Sequence, residues 1–153
     1  DDTAFYAIKE NIKAENEKKK EYLRGYRKHK EKARRISEEI EELRLHEMAP
    51  GVVYSGMPSA HNQRDLSDYM AKYDTLMVKL IKERKAAVEE FEKVHQEIEC
   101  MQDDREKNIL TMRYLRGWKW EKIAREMGVE WAQVHRIHSR ALSNFKLIKD
   151  DTQ

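Results

Sequence analysis

The sequence contains few of the residues that interrupt helices or crosslink chains. Its 153 residues include five glycines, two prolines and a single cysteine, Cys100. One cysteine excludes an intramolecular disulfide and a zinc site built from several cysteines. No stretch approaches the roughly 18 apolar residues that span a bilayer, and the first residues do not form a basic and then apolar leader. These absences predict a reduced, soluble, cytoplasmic protein.

Charged residues are abundant, at 39% of the chain, yet their signs nearly cancel to a net charge of +2. Abundant charge with little glycine or proline is typical of long solvated helices rather than sheets. The signs are segregated, because residues 9–35 and 105–149 each carry a net charge of +7, whereas 38–47 and 89–104 are acidic. Blocks of one sign are usually solvated helix faces, so alone they only weakly indicate a partner.

Proline and glycine concentrate in one segment of the chain. Pro50, Pro58 and two of the five glycines lie within residues 48–65, which marks a loop. Upstream, residues 5–47 sustain one seven-residue apolar frame, and downstream, residues 66–102 sustain a cleaner one. Neither helix can bury its apolar stripe alone, so we expect the two to fold back antiparallel, and a second chain could add to the bundle.

The two apolar seams differ in regularity. The first is interrupted by Glu15 and Lys19, and Gly25 costs the helix about 1 kcal/mol. The second is interrupted by Arg84, a polar residue of the kind that can fix register. The apolar and aromatic seam positions are Phe5, Ile8, Ile12, Tyr22, Tyr26, Ala33, Ile36, Ile40 and Leu43, then Met70, Tyr73, Met77, Leu80, Ala87, Phe91, Val94, Ile98 and Met101.

The last third of the chain predicts three short helices. Asp103 and Asp104 can cap and charge the start of the first, which runs to about Leu115 and stops at Gly117. The second covers residues 120–127. We therefore expect an all-α fold, with a long antiparallel coiled-coil helical hairpin (1–102, loop 48–65) followed by a three-helix helix-turn-helix module (103–150).

The spacing around Gly128 predicts the helix-turn-helix. A glycine can adopt the left-handed conformation that a tight turn between helices needs, and a third helix follows from about Trp131 to beyond Leu142. Small or apolar residues occupy the positions that such a motif buries, namely Ile123, Ala124, Met127, Val129, Val134 and Ile137. The outward face would then carry Glu130, Trp131, Gln133, His135, Arg136, Ser139 and Arg140.

That outward face has the long donors that a recognition helix uses to reach bases or phosphates. Arg and Gln can make bidentate contacts with guanine and adenine. A short three-helix core that never touches DNA would satisfy the same apolar pattern, and this alternative stays open.

The segment ILTMRYLRGWKWEKIAREMGVEWAQVHRIHSRALSNF, residues 109–145, resembles DNA-binding region 4 of the sigma-70 family of transcription initiation factors. The shared frame is Leu110, Arg113, Tyr114, Gly117, Ile123, Ala124, Gly128, Val134, Ile137, Ala141 and Leu142. The whole layout also resembles small phage- and prophage-borne sigma-like regulators. These have a charged N-terminal coiled coil, a loop with Gly-Met-Pro (here 56–58) and a Val-His-Arg-Ile-His stretch (here 134–138).

The resemblance implies that the third helix lies in the major groove of DNA and reads bases there. Carried over by position, the DNA-binding residues are Trp131, Gln133 and Arg136 first, then His135, Arg140, Ser139, Lys119 and Lys122. The sequence departs from the family at two cap positions, where Glu130 and Lys119 replace the usual Ser or Thr. Nothing in the first hundred residues resembles region 2, which in a full sigma factor binds core polymerase and melts DNA.

Other candidate sites are less well supported by the sequence. His135 and His138 lie three apart on the expected DNA face, but no third metal ligand is near them. His29 occupies a seam position and is expected to be at least half-buried. The basic run 18–35 could contact phosphates, although a solvated face is the favoured interpretation. No catalytic triad, glycine-rich phosphate loop or carboxylate pair stands out, so we expect no enzyme, cofactor or metal.

The sequence therefore predicts a sequence-specific DNA-binding transcriptional regulator of phage or prophage genes. Its expected partners are double-stranded DNA, RNA polymerase and further copies of itself through the coiled coil, with no membrane. Two alternatives remain, a coiled-coil adaptor that binds RNA polymerase or another protein without reading bases, and the small subunit of a phage DNA-packaging motor.

Overall fold

A computed structural model describes residues 1–47 and 60–147, with side chains described for all of these except 60–64. The helices are α1 (Asp2–Leu23), α2 (Gly25–Glu47), α3 (Ala60–Glu99), α4 (Asp104–Leu110), α5 (Trp120–Met127) and α6 (Trp131–Asn144), and a π-helical turn at Thr111–Leu115 extends α4. No strand occurs in these two ranges, which confirms the all-α prediction.

The last residues of the predicted loop 48–65 are helical, because α3 already begins at Ala60. Its Gly-Met-Pro at 56–58 lies outside the described residues, as do 148–150 at the end of the predicted module. A loop therefore does not extend to residue 65. The helix can begin early because Ala60 and the residues after it include no proline or glycine.

The predicted helix 5–47 bends at Arg24, which separates α1 from α2. Hydrogen bonding continues through the bend, since the Arg24 amide donates to the Lys20 carbonyl at 3.0 Å and the Lys28 amide donates to the Arg24 carbonyl at 3.0 Å. The bend lies beside Gly25, the residue with the lowest helix propensity within residues 5–47. A local weakness in the sequence thus coincides with the change in helix direction.

The residues group into two compact units, 29–86 and a second unit made of 1–28 together with the chain from 87 onward. In unit 29–86, α2 and α3 pack antiparallel. His29 donates from Nδ1 to Glu83 at 2.7 Å and is half-buried, as its seam position predicts. This hydrogen bond lowers the pKa of Glu83. The apolar core of this unit is Ala33, Ile40 and Leu80, with Ile36, Tyr73, Leu76 and Met77 packed against it.

The predicted seam is exposed along the first turns of α1 in a single copy of the chain. Phe5 is 56% exposed, and Ile8 and Ile12 are exposed as well. In a single copy of the chain, these positions of the heptad pattern do not face a packed neighbour. Further along, the seam positions Tyr22 and Tyr26 are half-buried and Ala33 and Ile40 are buried. Leu23, which lies outside the predicted seam, has no exposed surface.

The second unit holds the larger core, to which three separate parts of the chain contribute. Leu23 comes from α1, and Val94 and Ile98 come from the end of α3. The remaining members are Met101, Ile109, Leu110, Met112, Tyr114, Leu115, Ile123, Val134, Ile137, Ala141, Leu142 and Phe145. The predicted domain boundary at residue 102 stays a prediction. Residues on both sides of that position belong to the same compact unit.

Leu23→Ala tests whether α1 belongs to this core. We expect it to lower the free energy of unfolding by about 2–5 kcal/mol, the usual cost of a buried leucine truncation. Urea unfolding followed by tryptophan fluorescence measures this effect, since all three tryptophans lie between residues 118 and 131. Leu45→Ala is the matched control, because Leu45 is exposed. Equal, small effects of the two substitutions would contradict the assignment of Leu23 to the core.

Candidate nucleic-acid interface

The module begins with a capped helix, as the sequence predicts. The Asp103 side chain accepts hydrogen bonds from the amides of Arg105 and Glu106, at 2.9 and 3.1 Å. A side-chain acceptor at this position satisfies amides that have no partner within the helix. The start of α4 is thereby fixed.

The chain leaves the π-helical turn through Gly117. The Arg116 amide donates to the Thr111 carbonyl and the Trp118 amide to the Met112 carbonyl, both at 2.9 Å. Gly117 has a φ of +70°, and a Cβ there would collide with the guanidinium of Arg27. Glycine is therefore favoured at this position by the backbone conformation, whereas the flexible tip of Arg27 could move aside for a Cβ.

The turn between α5 and α6 has the geometry of a Schellman motif. Gly128 adopts φ +65° and ψ +35°, the left-handed conformation. Its amide donates to the Arg125 carbonyl at 3.2 Å, and the Val129 amide donates to the Ala124 carbonyl at 3.1 Å. These two bonds satisfy the last carbonyls of α5 and set the direction of α6. The sequence-based prediction of this turn is confirmed.

α6 is held by a buried carboxylate on α4. Glu106 is 3% exposed and accepts a hydrogen bond from Arg140 Nε at 2.9 Å. Asn144 Nδ2 donates to both oxygens of the same carboxylate at 3.0 Å. Arg140 and Asn144 are one helical turn apart, so the pair fixes the rotation of α6 about its axis.

The C-terminal end of α6 is held by α1. Lys19 Nζ donates to the carbonyl oxygens of Leu142 and Ser143, at 2.8 and 3.4 Å. A cation at this end of a helix also interacts favourably with the helix dipole. Sequence reasoning missed both Glu106 and Lys19. Glu106 had no signal beyond an acidic first turn, and Lys19 was noted only as a break in the seam.

His138 does not lie on the outward face, so the expectation for this residue is wrong. It is 5% exposed, and its Nε2 lies 2.8 Å from the Tyr114 hydroxyl. Burial, reinforced by nearby positive charges, lowers the pKa of His138 to about 4, and burial raises the pKa of Tyr114 to about 12. Both groups are therefore neutral at pH 7. The described residues contain no group of three or more potential metal ligands.

The exposed face of α6 begins with an aromatic stack. Trp131 is 57% exposed, and its ring centroid lies 4.1 Å from that of His135. On the inner side of the stack, the ring centroid of Trp120 lies 4.8 Å from that of His135. The Arg113 guanidinium lies 4.4 Å from the centre of the Trp120 ring. His135 is accordingly half-buried between two indoles, with its Nε2 buried and without a hydrogen-bond partner in the described chain.

The remaining outward residues differ in whether they make hydrogen bonds or ion pairs with other described residues. Gln133 and Arg136 are exposed and make no side-chain hydrogen bond or ion pair with the described residues. Ser139 is exposed as well, and its backbone carbonyl accepts from Ser143 at 3.1 Å. Arg140 is exposed at its tip, but its Nε is engaged with Glu106.

Lys119 and Lys122 lie at the start of α5, both exposed. Lys122 Nζ lies 4.0 Å from the centre of the Trp118 ring. Lys119 and Glu130 occupy the cap positions of α5 and α6, and neither makes a side-chain cap hydrogen bond. The first amides of both helices therefore have no side-chain cap, and such amides readily bind anions such as phosphate.

Comparison with known proteins agrees with this geometry. Residues 103–146, 44 of the 153 in the chain, match the family described as Sigma-70, region 4. No curated protein and no solved structure matches the chain. The C-terminal part therefore contains a helix-turn-helix module similar to sigma-70 region 4, which is a DNA-binding class of domain. None of the described helices is long and apolar enough to cross a membrane.

Gly128→Ala tests the left-handed turn. A Cβ at this position would meet nothing within 4 Å, so the cost is conformational alone. We expect a loss of about 1–2 kcal/mol in the free energy of unfolding, and a smaller loss for Gly128→Asn, which tolerates this conformation better. Gly25→Ala is the control, because Gly25 is helical with only an ordinary contact to Glu90, and it should be neutral or stabilising. Equal losses at both glycines would contradict the explanation.

The low pKa of His138 predicts a pH-dependent stability. Below about pH 6.5, the unfolded chain binds a proton at this histidine and the folded chain does not until about pH 4. The free energy of unfolding should therefore fall as the pH falls through this window, by about 2 kcal/mol from this group at pH 4.5. Urea unfolding at pH 7 and pH 4.5 should show a smaller fall in His138→Gln than in the wild type. Parallel profiles would show that His138 is not the cause.

Proposed function

We propose that the protein is a sequence-specific DNA-binding transcriptional regulator, acting on phage or prophage genes, in which α6 reads bases in the major groove. One observation carries the proposal. Gln133 and Arg136 project from a helix whose opposite face is fully packed, and neither side chain has a partner within the described chain. Long donors held ready on a fixed helix are what base reading requires.

The neighbouring residues take supporting roles in this proposal. Lys119 and Lys122, at the start of the helix that precedes the turn, contact phosphates, since in this motif that helix crosses the DNA backbone. Arg140 orients α6 through its ion pair with Glu106. Its exposed guanidinium end and the neighbouring Ser139 contact the DNA backbone. Trp131 makes an apolar contact at the edge of the interface. The Trp131 ring packs against the His135 ring.

The rest of the chain serves self-association and polymerase contact in this proposal. Phe5, Ile8 and Ile12 continue the heptad frame as an exposed apolar stripe on α1. That stripe supports pairing with a second copy of the chain. It equally favours the second candidate function, an adaptor in which α1 docks on RNA polymerase or another protein and the module does not read bases.

Selection of bound duplexes from a random DNA pool tests base reading directly. The wild type should enrich a consensus, and the Gln133→Ala/Arg136→Ala variant should relax it, because each bidentate pair contributes about 1–3 kcal/mol of discrimination. Gln96→Ala/Arg84→Ala is the matched control, since it removes the same residue types from exposed positions of α3. The control should retain the consensus.

The outcomes separate the two functions. Relaxation in both double variants would show that lost charge, and not lost base contact, is responsible. Failure of the wild type to enrich any sequence would remove the proposed base reading and leave the adaptor as the better account. Spaced inverted half-sites in the consensus would indicate that a symmetric dimer binds.

A further inference from the structure

Four cations gather around the segment that leads into α5. Lys122 Nζ lies 4.0 Å, and Arg116 Cζ 5.4 Å, from the centre of the Trp118 ring. Lys119 is the residue between that tryptophan and α5. The fourth cation comes from α2, where the Arg27 guanidinium lies over Gly117, its Nη1 beside the place that a Cβ on Gly117 would take. We call Arg27, Arg116, Lys119 and Lys122 the basic cluster.

The basic cluster makes no ion pair within the part of the chain that the structure describes. Basic residues close to Arg27 in sequence behave differently, since Arg24 and Lys28 both pair with Glu21. Like charges that lie close together without a counter-charge repel one another, so this arrangement favours binding of an anion.

Two further features fit a phosphodiester backbone. Arg113, whose Nη1 donates to the Trp118 carbonyl at 3.0 Å, adds a fifth positive charge beneath the same segment. The cluster also lies at the start of α5, the helix that crosses the DNA backbone when a helix-turn-helix docks. Glu121 is the one carboxylate within residues 116–122 and is exposed.

We propose that Arg27 of α2 contacts a DNA phosphate together with Arg116, Lys119 and Lys122, so that the DNA-binding surface extends beyond the sigma-like segment 103–146. The inference rests on the proposed DNA binding but not on base reading. The Arg27 guanidinium lies over Gly117, beside the segment that carries Arg116 and Lys119. A planar guanidinium can donate two hydrogen bonds to one phosphate.

The salt dependence of binding to a duplex of arbitrary sequence tests this contact. Fluorescence anisotropy between 50 and 200 mM KCl should show that Arg27→Ala binds about three- to tenfold more weakly at the low-salt end. The slope of log K against log salt should fall in magnitude by about one, as expected for one lost phosphate contact. Consensus and scrambled duplexes should be affected equally, because a phosphate contact carries no sequence information.

Two variants control for charge and for folding. Arg35→Ala removes an exposed arginine of the same helix and should leave both affinity and slope near those of the wild type. Arg27→Lys keeps the charge and should keep the slope. Partial unfolding of Arg27→Ala would lower the apparent affinity by the same factor at every salt concentration and leave the slope unchanged, so a purely structural role gives a different signature.

Each result decides one question. If Arg27→Ala and Arg35→Ala behave alike, the inference is overturned while DNA binding stands. If the wild type binds duplexes but selects no sequence, the proposed base reading fails. The slope of log K against log salt still shows whether Arg27 contacts a phosphate. If the wild type binds no duplex, both proposals fail.

Discussion

The carboxylate of Glu106 is the contact on which the presentation of α6 depends. It is buried, and a buried carboxylate is tolerated only when donors surround it. Those donors are Arg140 and Asn144, both on α6, so α4 and α6 cannot rotate relative to each other without leaving a charge unsatisfied in the core. Because the rotation of α6 is fixed, Gln133 and Arg136 are fixed on the solvent side of the helix.

The sigma-like segment does not complete its own core. Leu23 from α1 and Ile98 from α3 are buried within it, and Lys19 from α1 binds the end of α6. The part of the chain that matches region 4 is therefore stabilised by helices outside the match. α6, the helix that carries the proposed base-reading residues, is therefore held in place partly by α1. It also explains why the compact unit is discontinuous in sequence, since its core draws on residues that lie before and after the intervening unit.

Tertiary packing gives chemically identical residues different roles. His135 and His138 are three positions apart, yet one lies between two indoles near the surface and the other is buried against Tyr114 with a lowered pKa. Arg136 has no hydrogen-bond or ion-pair partner among the described residues, whereas Arg140 is bound to Glu106. In each pair the difference comes from the residues that α4 and the π-helical turn place opposite α6. The spacing of residues along α6 does not reveal those residues.

The sequence by itself determined the helix boundaries and turns of the module, because these follow from local chemistry. Asp103 caps, Gly128 adopts a left-handed conformation that other residues avoid, and apolar spacing buries Val134 and Ile137. Only the tertiary structure decided that His138 is buried, that Phe5 and Ile8 stay exposed, and that Lys19, Leu23 and Arg27 pack on the module. The contacts of the buried residues join distant parts of the chain, from 24 positions for Tyr114 and His138 to 123 for Lys19 and Leu142. No local periodicity specifies which distant side chain fills a given space.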